Sequence, residues 1–480
     1  MNGTAELARG VVMAGITGTS FDSTLPRFGG YVLFASAAAS LREVRGLTDA
    51  LRAREKTPPA IAIDQEGGTV TRLREGVEAM PSMMALGAAD DVELAGRAGE
   101  QVAFDLRRAG CTLDFAPVLD LALEPQNVVI GTRSFGSDPH QVALLAGSFA
   151  RGLERGGILP CYKHFPGHGA TPVDSHQALP SIAVDETTLR ARDLVPFAAV
   201  ARDAPAFMTA HVLVVAFDAH LPATLSRRIA SELLRGELGF RGVLVTDCLE
   251  MQAVAERGAE RAVEALAAGA DLMLFSQDLD AANAAVAAIH RAVEEKRLPL
   301  ERLEEAHARV MELRRAGAEP QPLQAFPPHP GVGREIGRRA ITLVRGLPHA
   351  DPVASVAVSF GGTSPTLQRE APALEEILAP VDPEADDVRG MLEALAEHGR
   401  RPLLLSRRAH CHALQAAAIA HIIDRFPDAL VVSLREPFDV PLFATARHLL
   451  AAFGDDEASI GGLADVIFGG SMPSGRLPIA

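Results

Sequence analysis

The chain has no tryptophan and two tyrosines among 480 residues. Proteins that grip single-stranded nucleic acid stack bases on aromatic faces, and such platforms are scarce here. Basic charge is also short: 46 Lys and Arg face 61 Asp and Glu, a net charge of −15. Polyphosphate backbones and anionic lipid surfaces repel such a chain, so neither nucleic acid nor membrane is expected as a partner. No apolar run reaches the roughly 18 residues that a spanning helix needs. The segment Met1 to Gly15 carries Arg9 and no apolar core with a small-residue cleavage site, so it does not read as a secretory leader, and a cytoplasmic protein is expected. The four cysteines, Cys111, Cys161, Cys248 and Cys411, lack paired spacing. They read as reduced thiols rather than a disulfide framework or a structural zinc site.

What is present is an alternation. Short apolar runs fall at Val11–Gly15, Gly30–Phe34, Ala60–Asp64, Cys111–Phe115, Leu159–His164, Ala206–His211, Gly242–Asp247 and Asp271–Ser276. Between most of them apolar residues recur at helical spacing, as in Leu41, Val44, Leu47, Leu51 and in Leu94, Ala98, Val102, Leu106. Short buried strands separated by helices imply parallel pairing. Eight such units within residues 1–316 predict a (β/α)8 TIM-like barrel, with an open doubly wound sheet as the alternative. Residues 317–333 hold Pro320, Pro322, Pro327, Pro328 and Pro330 and read as an extended linker. Residues 334–480 resume the alternation, with apolar runs at Val353–Phe360, Pro402–Ser406 and Ala429–Leu434. They predict a smaller α/β sandwich domain.

The densest polar cluster is Lys163-His164-Phe165-Pro166-Gly167-His168-Gly169, followed by Asp174-Ser175-His176. Lys163 and His164 close a strand-like run, which puts them at the end of a barrel strand where active sites lie. His164 and His168 are spaced like a helical zinc pair, but Pro166 and Gly167 argue against a helix and hence against a metal site. In Asp174-Ser175-His176 a carboxylate can orient an imidazole for proton transfer, although an isolated pair of this kind is more often a polar loop. Val243-Leu244-Val245-Thr246-Asp247 ends another strand in a carboxylate, which is either a helix N-cap or a nucleophile. Asp64, Arg72, Arg133 and Lys163 fall at or just beyond other strand ends.

These segments together are specific. Asp64-Gln65-Glu66-Gly67-Gly68, Asp114 to Asp120, Arg133-Ser134-Phe135-Gly136, Lys163 to Gly169, Asp174-Ser175-His176, Pro222 to Ser226, Gly239 to Asp247 and the closing Pro473 to Pro478 span nearly the whole chain. It resembles glycoside hydrolase family 3, and within it the bacterial β-N-acetylhexosaminidases of peptidoglycan recycling. The resemblance implies a retaining exo-β-N-acetylglucosaminidase acting on a small carbohydrate substrate without cofactor or metal. It implies Asp247 as nucleophile, His176 as general acid/base and Asp174 as its orienting partner. Asp64, Arg72, Arg133, Lys163 and His164 match positions that hold the sugar, and His211 and Asp120 are further candidates. Another family 3 β-glycosidase, a phosphorylase and a non-catalytic sugar-binding protein remain as alternatives. The chain departs from the pattern at Thr69, at Leu33-Phe34-Ala35-Ser36 and at Cys248. The second domain is expected to pack near the barrel mouth without contributing chemistry.

Overall fold

The computed structural model describes residues 3–18, 22, 24–34, 40–171, 179–318 and 329–479. Eight parallel strands form the first sheet: β1 (Val12–Ile16), β2 (Gly30–Leu33), β3 (Ala60–Ile63), β4 (Leu113–Asp114), β5 (Leu159–Phe165), β6 (Ala206–Thr209), β7 (Val243–Val245) and β8 (Met273–Phe275). Each pairs with its chain neighbour, β1 also pairs with β8, and a bridge from Val245 to Leu272 brings β7 up to β8. This is a nearly closed TIM-like barrel, and every one of the eight expected runs is one of its strands.

Period-two alternation sorts the strand residues. Met13, Val32, Ala62, Cys161, Met208, Val245 and Leu274 form a cluster inside the ring. Val12, Ala14, Tyr31, Ile61, Ile63, Phe207, Leu244 and Phe275 pack outward with the helices. The Leu41–Arg52 helix buries Val44, Leu47 and Leu51, and the Val92–Arg108 helix buries Leu94, Ala98, Val102 and Leu106. Those are the stripes read from spacing, except that Leu41 at the helix start is only half-buried.

The second sheet contains β9 (Thr342–Arg345), β10 (Ser355–Phe360), β11 (Glu375–Ala379), β12 (Arg401–Ser406), β13 (Leu430–Ser433) and β14 (His448–Ala451). Their order is β9-β14-β13-β12-β10-β11, parallel except for β9 against β14. The apolar runs identified β10, β12 and β13. Edge strands β9 and β11 escaped because half of each faces water, as the Glu375-Glu376 start of β11 shows.

The linker ends differ from expectation. The Leu300–Ala318 helix carries Gly317, and the Val332–Ala340 helix begins before residue 334. Pro320, Pro322, Pro327 and Pro328 lie outside the described residues. The Val332–Ala340 helix packs on the Met83–Ala89 and Val92–Arg108 helices of the barrel and on the Glu457–Ile467 helix of the second domain. The last contact is very close: a Cβ on Gly337 would stand 2.4 Å from the Ala458 carbonyl oxygen. Val332, Ile336 and Ala340 thereby join the barrel's own apolar cluster. Among the described residues no helix is long and apolar enough to cross a membrane.

Candidate active site

The loop after β3 is folded by Gln65. Its side-chain oxygen accepts from the N–H groups of Arg72 at 3.1 Å and Leu73 at 3.0 Å, and its amide donates to the Leu73 carbonyl at 2.8 Å. This brings Arg72 back beside Asp64, with Nη2 to Oδ2 at 3.4 Å. In β5 the ladder to β6 is irregular between Tyr162 and Phe165, the stretch that holds Lys163 and His164. Both side chains are buried.

Lys163 Nζ lies 2.7 Å from Asp64 Oδ1 and 2.5 Å from Glu66 Oε1. Arg133 grips Glu66 with two parallel bonds of 2.8 Å and donates to the Val129 carbonyl at 3.0 Å. His164 Nδ1 is 2.6 Å from Asp120 Oδ2, and the backbone N–H groups of His164 and His168 also donate to Asp120. The opposite ring nitrogen of His164 is 3.4 Å from Arg133 Nη2. Asp247, just beyond β7, accepts the Cys248 N–H at 2.7 Å. His211 reaches Thr224 Oγ1 at 2.7 Å and the Cys248 carbonyl at 2.9 Å, bracing the turn that carries Asp247.

The electrostatics follow from these pairs. Burial alone would raise the Asp64 pKa, but Lys163, Arg72 and Arg133 pull it down to about 2. Glu66 is lowered against its burial by Arg133 and Lys163. Asp247 also lies below its ordinary range, because His211, His164, the Cys248 N–H and Lys163 outweigh its burial. Burial holds His164 well below the usual imidazole range, with Arg133 and Lys163 adding to it. Two carboxyls go the other way through burial, Asp120 to about 6 and Asp114 to about 8.

Asp64, Arg72, Arg133, Lys163, His164 and Asp247 thus line one cavity of about 880 Å³ at the C-terminal ends of the strands. A family model described as the glycosyl hydrolase family 3 N-terminal domain matches residues 24–313. The chain belongs to glycosyl hydrolase family 3. A β-hexosaminidase from Pseudomonas aeruginosa (strain LESB58) is 42 % identical over 269 residues, covering 55 % of this chain and 80 % of that protein. The solved family 3 β-N-acetylglucosaminidase from Paenibacillus sp. str. FPU-7 is 34 % identical and superposes with a TM-score of 0.91, covering 100 % of this chain and 99 % of that one. NagZ from Neisseria gonorrhoeae, solved with N-trifluoroacetyl-D-glucosamine, is 33 % identical with a TM-score of 0.54, over 64 % of this chain and 98 % of its own.

Within this glycoside hydrolase, Asp174 and His176 lie outside the described residues. The departures at Thr69 and Cys248 both face the cavity, and Phe34 lies under the Arg72 guanidinium at 5.8 Å. Sequence reasoning gave no role to Glu66, which ties Lys163 to Arg133. Its signal was a carboxylate two residues after Asp64 in the same motif. It also missed that the second domain reaches the site: Arg408 and Arg435 line the same cavity.

Proposed function

We propose that this family 3 glycoside hydrolase is a retaining exo-β-N-acetylglucosaminidase. It releases terminal GlcNAc from muropeptides or small glycosides through a covalent bond between the sugar and Asp247. The observation that supports this most is Asp247 itself. It is a carboxylate at a strand end, with its pKa lowered, on the wall of a cavity whose other polar groups suit a neutral sugar.

In this reading Asp247 attacks the anomeric carbon while His176, oriented by Asp174, donates a proton to the departing glycosidic oxygen. The neutral imidazole then takes a proton from water, the water oxygen attacks the same carbon, and the bond to Asp247 breaks. Asp64 and the Lys163 ammonium meet the sugar's hydroxyls. The Glu66 pairs to Lys163 and Arg133 hold those two cations in fixed positions, so they need not reorganise when the sugar's hydroxyls bind. Peptidoglycan recycling in the cytoplasm is the setting that this substrate class suits.

The test compares wild type, Asp247→Ala and His176→Ala on aryl β-GlcNAc substrates with good and poor leaving groups. Asp247→Ala is expected to lose about 10³-fold or more in kcat on both. His176→Ala is expected to retain much of its rate on the good leaving group and to fail on the poor one. Wild type that turns over neither aryl β-GlcNAc nor aryl β-glucoside would overturn the enzyme reading and leave sugar binding. Preference for the glucoside would overturn the specificity.

A further inference from the structure

The second domain puts two arginines at matched places. Strands β12 and β13 are paired in register at Ser406 and Ser433. Arg408 and Arg435 each follow two residues after those serines, beyond the C-terminal edge of the parallel sheet where α/β sheets bind ligands. The loop after β12 is firmly built: Asp439 accepts from Ser406 Oγ at 2.8 Å and from the His410 N–H at 2.9 Å. Arg408 has φ +56, a strained backbone for a non-glycine residue that neighbouring structure must hold in place.

The cavity has a direction. Its floor is Val32, Phe115, Met208 and Leu274, from the cluster inside the barrel, and Arg408 and Arg435 come from the domain that covers its mouth. Arg408 Nη2 is 3.5 Å from the Val128 carbonyl, and Arg133 holds the next carbonyl, that of Val129. The second domain therefore begins where the sugar-facing residues end.

The charges differ in what they have already met. Arg72, Arg133 and Lys163 are matched by Asp64 and Glu66, and Arg408 by Glu436 at 3.0 Å. Glu250, on the same wall, is taken up by the backbone N–H groups of Gln277 at 3.0 Å and Asp278 at 2.8 Å. Among the described residues Arg435 has no acidic partner, and its Nε is buried without an acceptor. A buried donor left without an acceptor is costly, and a planar guanidinium fits an oxyanion through two parallel bonds.

We propose that Arg435 is the recognition residue of an oxyanion subsite at the mouth of the catalytic cavity, and that its ligand is a carboxylate carried by the leaving group of the substrate. An exo-acting pocket takes the neutral terminal sugar to its deep end, so the leaving group points to the arginines. The inference rests on the glycosidase reading above and names the kind of leaving group that reading would use.

The test uses two β-GlcNAc disaccharides that differ only in the second sugar, one bearing a carboxylate-containing ether and the other its methyl ester. Wild type is expected to favour the acid over the ester about tenfold in kcat/KM. Arg435→Gln is expected to bring that ratio to about one, and Arg435→Lys to restore part of it. A wild-type ratio near one, or a ratio unchanged in Arg435→Gln, overturns the subsite. Inorganic phosphate distinguishes the other source of an oxyanion. A phosphate oxygen would attack the anomeric carbon as the bond to Asp247 breaks, giving a sugar 1-phosphate. If wild type forms that product, Arg435→Gln loses it, and the acid-to-ester ratio is the same in both, the anion is the acceptor and the leaving-group assignment falls. Should wild type turn over neither disaccharide, the glycosidase reading fails by itself. Calorimetric titration of the free carboxylated sugar then reads the subsite, with about tenfold weaker binding expected in Arg435→Gln and equal binding overturning it.

Discussion

Glu66 is 1 % exposed and meets both Lys163 and Arg133, so three charges share one dry place beside the candidate site's cavity. Such a group is stable only as a set. Lys163→Met leaves Asp64 and Glu66 short of a cation and is expected to cost about 3–5 kcal/mol in urea unfolding. Asp114 makes a separate prediction. Its Oδ2 is buried without a partner, and burial raises its pKa to about 8 against 3.8 for the unfolded chain. The folded state keeps a proton there that the unfolded state has lost, so this group's contribution is full below pH 3.8 and declines as pH rises toward 8. Asp114→Asn removes that slope. The stability of wild type relative to the variant should fall steadily between those limits in urea midpoints measured across pH, and parallel curves would contradict it. Asp247 has a depressed pKa, so it remains ionised down to pH values below the ordinary carboxylate range. The acid limb of kcat on a substrate with a good leaving group should therefore lie below the ordinary carboxylate range, as a pH–rate profile would show.

At the scale of elements, the barrel depends on close approach between strand ends. Gly15 in β1 faces the exit of β8 so tightly that a Cβ would stand 1.6 Å from the Ser276 carbonyl oxygen. Gly15→Ala must part the two strands, with an expected loss of about 1–3 kcal/mol or more, read as a lowered thermal midpoint. The change also disturbs the Ser276–Asp278 turn that holds Glu250 on the cavity wall. Element existence was largely legible in the sequence, because barrel strands are buried on both faces and appear as apolar runs. Strands β9 and β11 were not, since an edge strand needs polar residues on its open side. Strand β14, headed by His448 and apolar from Leu449 to Ala451, was not singled out either.

At the scale of the whole molecule, the two domains share a core. Ala451 and Phe453 of the second domain belong to the barrel's apolar cluster, and the Ser82 hydroxyl donates to the Phe453 carbonyl at 2.6 Å. Arg97 pairs with Glu335 and Arg339 with Asp91, each at 2.8 Å. The Ser137 N–H donates to the Pro478 carbonyl at 2.9 Å. A boundary this continuous predicts one cooperative unfolding transition, with calorimetric and van't Hoff enthalpies in agreement. Two resolved transitions would show that the domains melt separately. The second domain does more than pack nearby, since Arg408 and Arg435 line the same cavity as Asp64, Lys163 and Asp247.

The eight strands were readable from local pattern, because burial on both faces leaves an apolar run at Val11–Gly15 and its seven counterparts, whereas their closure into a barrel rather than an open sheet came from the pairing of β1 with β8. The sequence also marked Asp64, Lys163, His164 and Asp247 as strand-end residues, since each closes or directly follows such a run. The pairing of Glu66 with Lys163 at 2.5 Å and with Arg133 at 2.8 Å, 97 and 67 residues further along the chain, came from the packed fold. That fold alone brought Arg408 and Arg435 to a cavity built by another domain. The physical reason is the range of the information. Periodicity reports what a segment does with its own neighbours, whereas an ion pair between distant segments leaves no local pattern and exists only once packing has removed the water between them.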